Sequence, residues 1–465
     1  MDPRTTAARP RPVERSPYFS SLLGVALGER VAAIATMNLH FVPVFAATAK
    51  LGAVFTPIDP RLEPSGLLDR LQIASPSLVV IDDERATLSR ELGAELGVPM
   101  ISLSRLVRTS AGDDDRELAV AGPSELDPQA MFFSSGETGR PKGAVLSHRV
   151  HVLRTQPDAL PGSRGHSVCP YPLTDPIAWE VALRQWQVRG RVTLVDSTSG
   201  PDLCAAIEAH EPTHLTTTLP LLREMLAAVG ATSEEERPDQ LSSLRDIEVR
   251  SAAAPSSLSD EIAAVLPDVR LRLLHGTVEA GGLGCLEGDD LRRKPGSCGV
   301  PGPFGELIIE RTGELCARGP LLFDGYFGDA DATAATVVDG WFHTGDVAEI
   351  DPEGYLTILG PIRDIIRTKA GAVAPIEVET ALAGHFGVGD VAVVGLLDED
   401  LGQIVCAVVV PAPGHGPPLL SDLRSFCEGR IVSFKQPNRL IIVDTIPRTE
   451  TTKQVKRPLL RAQLG

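Results

Sequence analysis

Residues 31–55 read VAAIATMNLHFVPVFAATAKLGAVF, the most apolar stretch of the chain. Asn38, His40, Pro43 and Lys50 interrupt it, so it reads as a strand and a buried helix rather than a membrane span. The same texture returns where SLVVID (77–82) precedes ATLSRELGAELG (86–97). Strand-like and helix-like runs alternate in this way through most of the sequence, which predicts an α/β architecture with parallel sheets. From about Thr357 the texture changes. LTILGPIRDIIRTKAGAVAPIEVETALAG (356–384) leads into the short strand-like runs DVAVVGLLD, QIVCAVVVP and NRLIIVD. A boundary near Gly360–Arg363 is therefore expected, with a large domain over 1–361 and a small α+β domain over 362–465. No internal repeat or low-complexity tract interrupts this pattern.

The 465 residues suffice for about two to four domains at roughly 150 residues each. A chain of this length buries about three-quarters of its unfolded surface and needs no disulfide or metal staple. Hydrophobic residues make up 43% and charged residues 23%, which excludes disorder as the main state. The net charge of −17 argues against holding a nucleic-acid backbone or an anionic membrane. Seven scattered cysteines with no CxxC pair fit reduced thiols in the cytoplasm better than a zinc ribbon or a secreted framework. The opening MDPRTTAARPRPVERSPY has no apolar core and reads as a frayed basic tail, not a secretory signal.

His210-Glu211-Pro212-Thr213-His214 spells HExxH, a zinc-helix pattern that needs both imidazoles on one helical face. Pro212 would break that face, and HLTTTLP after it reads as a strand, so metal binding is not expected here. His148 and His151 form an HxxH with no third ligand at a suggestive spacing. The run Phe132–Gly143, FFSSGETGRPKG, has more content. A strand delivers the chain into small and hydroxyl-bearing residues, glycines and then a lysine. Such a loop brings backbone N–H groups and hydroxyls around phosphate oxygens. It does not match the usual P-loop, because Ala144 follows Gly143.

Read as an ordered set, five segments resemble the adenylate-forming (ANL) superfamily of acyl- and aryl-CoA synthetases, peptide-synthetase adenylation domains and firefly-type luciferases. SSGETGRPKGAVLSH (134–148) is similar to its phosphate-binding signature, and HGTVE (275–279) to its later YGxTE element. GWFHTGDVAEIDPEGYLTILG (340–360) resembles the segment whose aspartate, here Asp346, holds the ribose hydroxyls. DIIRTKAGAVAPIEVE (364–379) resembles the loop and helix after the hinge, and PRTETTKQVKRPLLR (447–461) the motif of a catalytic lysine, here Lys453. Weaker similarity extends to about Gly28, before which the chain looks shorter than the family usually is. The resemblance implies a large domain of layered sheets and helices and a small mobile α+β domain.

It also implies a chemistry. A carboxylate attacks the α-phosphate of ATP, and a thiol of coenzyme A or of a carrier-protein pantetheine then attacks the acyl-adenylate. Both steps rest on positioning and on electrostatic stabilisation of phosphate charge. Carried over, Ser134, Ser135, Gly136, Glu137, Thr138, Gly139, Lys142, His275, Gly276, Thr277, Val278 and Asp346 bind the nucleotide. Lys453, Glu279 and Arg363 take catalytic positions, with Glu279 also associated with magnesium. Arg363 stands where the family's hinge residue is found. Arg367, Lys369 and Gly371 follow it as candidates for coenzyme A, since Arg suits phosphate oxygens. A solvated basic face explains Arg363, Arg367 and Lys369 equally well.

Departures from the family fall on one half-reaction. Glu137 replaces a threonine or serine whose hydroxyl helps hold the β- and γ-phosphates. Like charges about 4 Å apart repel by roughly 1 kcal/mol in water and several times that in a partly dry site. Val278 replaces a threonine that donates to the α-phosphate, and Pro361 an arginine that contacts the nucleotide. Ala370 and Thr452 replace glycines. An acyl-adenylate has no β- or γ-phosphate to meet Glu137, so one expectation is a protein that only forms the thioester from an adenylate made by a separate enzyme. The other is a complete two-step ligase, for which the retained Lys453 speaks. Asp175, in TDPIAWE (174–180), resembles the aspartate that grips the α-amino group in amino-acid-activating enzymes, but the segments at 340–379 resemble acyl-CoA synthetases and favour reading it as a polar pocket residue or helix cap. Gly281-Gly282 implies a loop with little bulk and a roomy acyl pocket.

Overall fold

The computed structural model describes residues 5–8, 24–34, 39–85, 88, 92–93, 95–110, 122–134, 140–156, 165–197, 199–230, 241–251, 257–302, 304–398, 402–448 and 455–464. The chain forms two compact units, Met1–Glu306 with Ala317–Phe342, and Leu307–Cys316 with His343–Gly465.

In the first unit, β1 (Thr5–Ala8) runs antiparallel to a later strand, so this part of the tail is paired and not frayed as expected. One sheet holds β2 (Arg30–Ile34), β3 (Val54–Ile58), β4 (Leu78–Ile81), β5 (Met100–Ser102), β6 (Pro128–Ser134) and β7 (Lys142–Ser147), in the order β5-β4-β2-β3-β6-β7. All its pairings are parallel except β6 with β7. The 31–55 stretch supplies β2, the helix Phe41–Leu51 and β3, as the sequence predicts. Gly52 ends that helix at φ 68, a left-handed cap that glycine adopts without a Cβ penalty.

The second sheet contains β8 (His166–Cys169), β9 (Arg191–Val195), β10 (His214–Thr217), β11 (Asp246–Arg250), β12 (Arg270–Thr277) and β13 (Gly281–Glu287), ordered β1-β9-β8-β10-β11-β12-β13. Its interior pairings are parallel. Parallel strands need crossovers, and the helices Pro176–Gln187, Gly200–His210 and Leu219–Gly230 provide them. Gly281 and Gly282 open β13 instead of forming the expected loop. In both sheets the carboxyl ends of the parallel strands carry the segments singled out in the sequence: Ser134 at the end of β6, Asp175 after β8, and His275–Glu279 at and just past the end of β12. That edge is where open α/β sheets bind ligands.

The second unit includes the turn between β14 (Glu306–Ile309) and β15 (Glu314–Arg318). Just before the second unit resumes, β16 (Val337–Val338) pairs with the start of β17 (Trp341–Ile350). Strand β17 continues into the second unit and pairs there with β18 (Leu356–Pro361). Beyond them β19 (Ile366–Thr368), β20 (Gly371–Val373), β21 (Val388–Asp398), β22 (Gly402–Pro411) and β23 (Arg439–Ile442) form a sheet with β18 outside it. Val373, Val378, Val393, Val405 and Leu423 pack its core against the helices Pro375–Leu382 and Leu420–Cys427. The architecture is thus mixed α/β with a large N-terminal and a small C-terminal part. No helix among the described residues is long and apolar enough to cross a membrane.

Candidate functional site

The hairpin of β6 and β7 pairs Ser134 with Lys142, which holds the two ends of the phosphate-type loop together. Ser135, Gly136, Glu137, Thr138 and Gly139 lie outside the described residues. Segment 323–327 runs along the same hairpin. Its Phe327 N–H donates to Gly143 O at 2.8 Å, Val145 N–H to Gly325 O at 2.9 Å and Asp324 N–H to Val145 O at 2.9 Å. This pairing sets Tyr326 beside Lys142, whose Nζ lies 4.7 Å from the ring centroid. The Tyr326 hydroxyl donates to Glu279 Oε1 at 3.1 Å. Lys142, Tyr326 and Glu279 thereby form one chain of contacts within the first unit.

Glu279 is buried, and Arg154 fixes the backbone around it. Arg154 Nη1 donates to Val278 O at 2.8 Å and Nη2 to Glu279 O at 3.1 Å. Nε and Nη2 both donate to Leu321 O, at 2.9 and 2.6 Å. Burial lowers the Arg154 pKa, while Glu180, Glu279 and Asp324 favour its charge. Gly281 has φ +71, and a Cβ there would come within 2.9 Å of Arg154 Nε. The space that Gly281 leaves is thus taken by the guanidinium, whereas nothing lies within 4 Å of a Cβ built on Gly282. Gly276 is needed for close approach too, since its Cβ would meet Gly281 O at 2.2 Å. Thr277 Oγ1 accepts from Ala280 N–H at 3.0 Å and rounds the turn that carries Val278. Burial pushes the His275 imidazole down to about 4, and its Nε2 has no hydrogen-bond partner among the described residues.

A second polar group of the first unit gathers at the carboxyl edge of β8 and β11. Arg250 Nη2 meets Glu248 Oε1 at 2.7 Å and Glu180 Oε2 at 3.5 Å, and Arg184 Nη1 meets Glu248 Oε2 at 3.1 Å. Burial alone would raise the Glu248 carboxyl, yet Arg250 and Arg184 hold it down at about 2. Asp175 caps the helix Pro176–Gln187, accepting from Ile177 N–H at 2.8 Å. Burial raises its carboxyl to about 6, against the Ile177 hydrogen bond and with help from Glu180. The nearby Tyr171 hydroxyl is buried without a partner among the described residues.

Asp175 yields a stability prediction. Its folded pKa lies above the ordinary 3.8, so the native state binds more protons between the two values. The contribution is full below 3.8 and is lost as pH rises through about 6. Asp175→Asn should flatten this part of the stability profile, read as urea midpoints between pH 4 and 7; an unchanged slope would reject the assignment. Asp175→Ala should in addition cost about 1 kcal/mol through the lost cap.

The second unit carries the ribose candidate. Asp346 N–H donates to Thr344 Oγ1 at 3.1 Å, and Thr344 Oγ1 donates to Leu315 O at 2.8 Å. Gly345, at φ 74, donates to Glu314 Oε1 at 2.9 Å and accepts from Ile362 N–H at 2.8 Å. In the β17–β18 ladder Asp346 stands opposite Pro361. A turn follows, with Asp364 N–H donating to Pro361 O at 2.9 Å, and Arg363 is exposed within it. Arg367 and Lys369 are exposed on the β19–β20 hairpin, which Gly371 closes at φ +151 with its N–H and C=O both bonded to Thr368 Oγ1. Lys453 lies outside the described residues. Its flanks are held by a backbone bridge between Arg448 and Val455. The helix Arg457–Leu464 beyond it is tied down by Arg461 to Asp364 at 2.5 Å and Arg457 to Glu379 at 2.6 Å.

The decoy motifs resolve as expected. His210 ends a helix, Glu211 is left-handed at φ 47 and His214 begins β10, so no common helical face exists. His151 is buried with Nδ1 2.8 Å from Gln129 Oε1, and burial pushes its pKa to about 3.

The profile of the AMP-binding enzyme family matches residues 17–327, and that of the AMP-binding enzyme C-terminal domain matches 377–453. A feruloyl-CoA synthase of an Amycolatopsis species is 30% identical over 94% of this chain and 89% of its own. The fatty acid–[acyl-carrier-protein] ligase ScoC of Streptomyces coeruleorubidus is 30% identical over 94% and 87%. The ATP-bound crystal structure of MatB from Rhodopseudomonas palustris superposes with a TM-score of 0.81, covering 96% of this chain and 90% of that one at 24% identity, which speaks to the fold. With a family profile spanning most of its length and the phosphate-type hairpin, the Glu279 turn and the Asp346 strand in their family order, the chain belongs to the AMP-binding enzymes of the adenylate-forming (ANL) superfamily.

Proposed function

We propose that this protein is an acyl-CoA ligase-type enzyme that performs the thioester half-reaction on a preformed acyl-adenylate, with adenylation impaired. The observation that carries this reading is the register that sets Pro361 opposite Asp346. An arginine there would bring a forked cation to the nucleotide; proline brings neither charge nor donor. Val278 adds a second loss, because its carbonyl is held by Arg154 while its side chain offers no hydroxyl. Glu137 adds a carboxylate in the phosphate-type loop. The nucleoside end keeps Asp346, and the Glu279 turn is intact.

Glu279 offers a hard oxygen donor, and its Oε1 already accepts from Tyr326, so one buried carboxylate with nucleotide phosphates suits magnesium. When bound, that ion would neutralise phosphate charge. Asp346, in the second unit, accepts the ribose hydroxyls; in the first unit Lys142 and Ser134 border the phosphate-type loop, and His275, Gly276, Thr277 and Val278 supply further nucleotide contacts. Asp175 and Gly282 belong to the acyl side, whereas the space at Gly281 is taken by Arg154. Coenzyme A meets Arg367, Lys369 and Gly371 as the domain beyond residue 361 swivels about Arg363, presenting Lys453 only for adenylation. The adenylate comes from a separate adenylating enzyme, and the cytoplasm supplies coenzyme A. Similarity to ScoC favours a second reading of the acceptor, a carrier-protein pantetheine.

The test offers purified protein either acid with ATP and coenzyme A, or synthetic acyl-adenylate with coenzyme A. Consumption of the adenylate alone supports the proposal; rapid pyrophosphate release makes the protein a complete two-step ligase. In calorimetry, Asp346→Ala should weaken AMP or acyl-adenylate binding by roughly 1.5–3 kcal/mol, as for hydrogen bonds to a charged group. Unchanged affinity in a folded variant would remove Asp346 from the ribose site.

A further inference from the structure

We propose that Glu310, Cys316 and His343 form a binding site for a zinc-like divalent cation, distinct from the Glu279 position. The three residues come from the second unit, at the turn after β14, on β15 and on β17. One ligand atom from each lies within 4.8 Å of the others. His343 Nδ1 is 3.5 Å from Cys316 Sγ. A tetrahedral ion with Zn–S of about 2.3 Å and Zn–N of about 2.0–2.1 Å places sulfur and nitrogen about 3.5 Å apart. The pair is thus already spaced as ligands of one ion.

Glu314 completes the surroundings. Its Oε2 is 3.2 Å from the same His343 nitrogen, close to the roughly 3.3 Å between nitrogen and oxygen ligands of tetrahedral zinc. Its Oε1 is engaged by Gly345 N–H at 2.9 Å, which fixes the carboxylate plane. Three protein donors with Glu314 or water in the fourth position is an ordinary zinc arrangement. A thiol, an imidazole and a carboxylate together suit zinc and not magnesium, which takes oxygen. Cys316 is fully buried, whereas Glu310 is exposed and the His343 side chain keeps 22% of its surface, so an ion enters past those two.

Binding replaces the thiol proton with the metal, and that proton is released to solvent. Because each binding event displaces the thiol proton, affinity rises with pH. Occupancy would clamp the β14–β15 turn to the strand that continues through Thr344 and Gly345 to Asp346.

The test uses full-length protein stripped with a chelator and free of nucleotide. Titration with Co²⁺ should develop a near-ultraviolet thiolate-to-cobalt charge-transfer band that saturates at one equivalent. Zn²⁺ should displace it, and affinity should be higher at pH 8 than at pH 6.5. Cys316→Ser should abolish the band and weaken Zn²⁺ binding at least a hundredfold. Glu310→Gln, at an exposed position where folding is not at stake, should weaken it roughly tenfold. An absent band, a band that persists in Cys316→Ser, or unchanged affinity in Glu310→Gln would each overturn the site. Should Cys316→Ser fail to fold by circular dichroism, His343→Gln and Glu310→Gln decide the question by the same readouts.

Discussion

Arg154→Met should lower the stability of the first unit by roughly 3 kcal/mol or more, the range for stripping a buried charge from its partners. The reason lies in what the guanidinium holds. Leu321 O accepts from both Nε and Nη2 of Arg154, so methionine leaves that carbonyl without its two charged donors. Val278 O loses its donor as well, while Glu279 O retains Phe323 N–H at 2.7 Å. Glu279 and Asp324 also lose the cation that offsets their charge. Methionine fills much of the volume, so the loss reports on hydrogen bonding and charge more than on a cavity. All three tryptophans, Trp179, Trp186 and Trp341, lie in the first unit, so their fluorescence during urea unfolding follows that unit specifically. Arg154→Lys should recover only a minor part, because an ammonium cannot span three carbonyls as the planar fork does. A midpoint shift worth less than about 1 kcal/mol in Arg154→Met would show the clamp to be dispensable.

The sequence made the α/β alternation, the ordered motifs and the dismissal of HExxH readable because each depends on local pattern. Strand period, helix stops and a proline in a turn act over a few residues, and β2, the helix Phe41–Leu51 and β3 follow from 31–55 directly. Arg154 escaped because its contacts span up to 167 residues, and nothing in HRVHVLR marks its guanidinium as a clamp. Tyr326 escaped for the same reason. The aromatic run LLFDGYF was the one available hint, yet only its pairing along β7 brings the hydroxyl to Glu279. By composition Gly281-Gly282 reads as a loop with little side-chain bulk beside a roomy acyl pocket. Its first glycine is in fact demanded by φ +71 and by the guanidinium above it. Glu310, Cys316 and His343 likewise have no telling spacing, since a hairpin turn and a following strand bring them together.

Restoring the family's phosphate contacts should bring back ATP-dependent activation of the acid. On the proposed reading, Glu137→Thr removes a carboxylate from the phosphate-type loop and supplies a hydroxyl in its place. Val278→Thr returns a donor at similar volume, on a turn whose backbone Arg154 already fixes. Pro361→Arg places a cation across the ladder from Asp346. Proline at 361 does not leave a ladder N–H to be rescued, so the gain there is charge and fork geometry, not backbone pairing. Each like-charge contact relieved is worth roughly 1 kcal/mol in water and several times that in a drier site. Together the three changes could lower the adenylation barrier by several kcal/mol, roughly a hundredfold or more in rate. Attack of coenzyme A on supplied acyl-adenylate should change little, since that substrate has no β- or γ-phosphate. The measurement is pyrophosphate release with the acid whose adenylate the wild type consumes. Brisk release by the wild type would leave an ordinary two-step ligase and sink the thioester-only reading. Silence from wild type and triple variant alike, with adenylate also unconsumed, would make the protein a binder of adenylates, its Asp346 strand kept for holding and not for turnover.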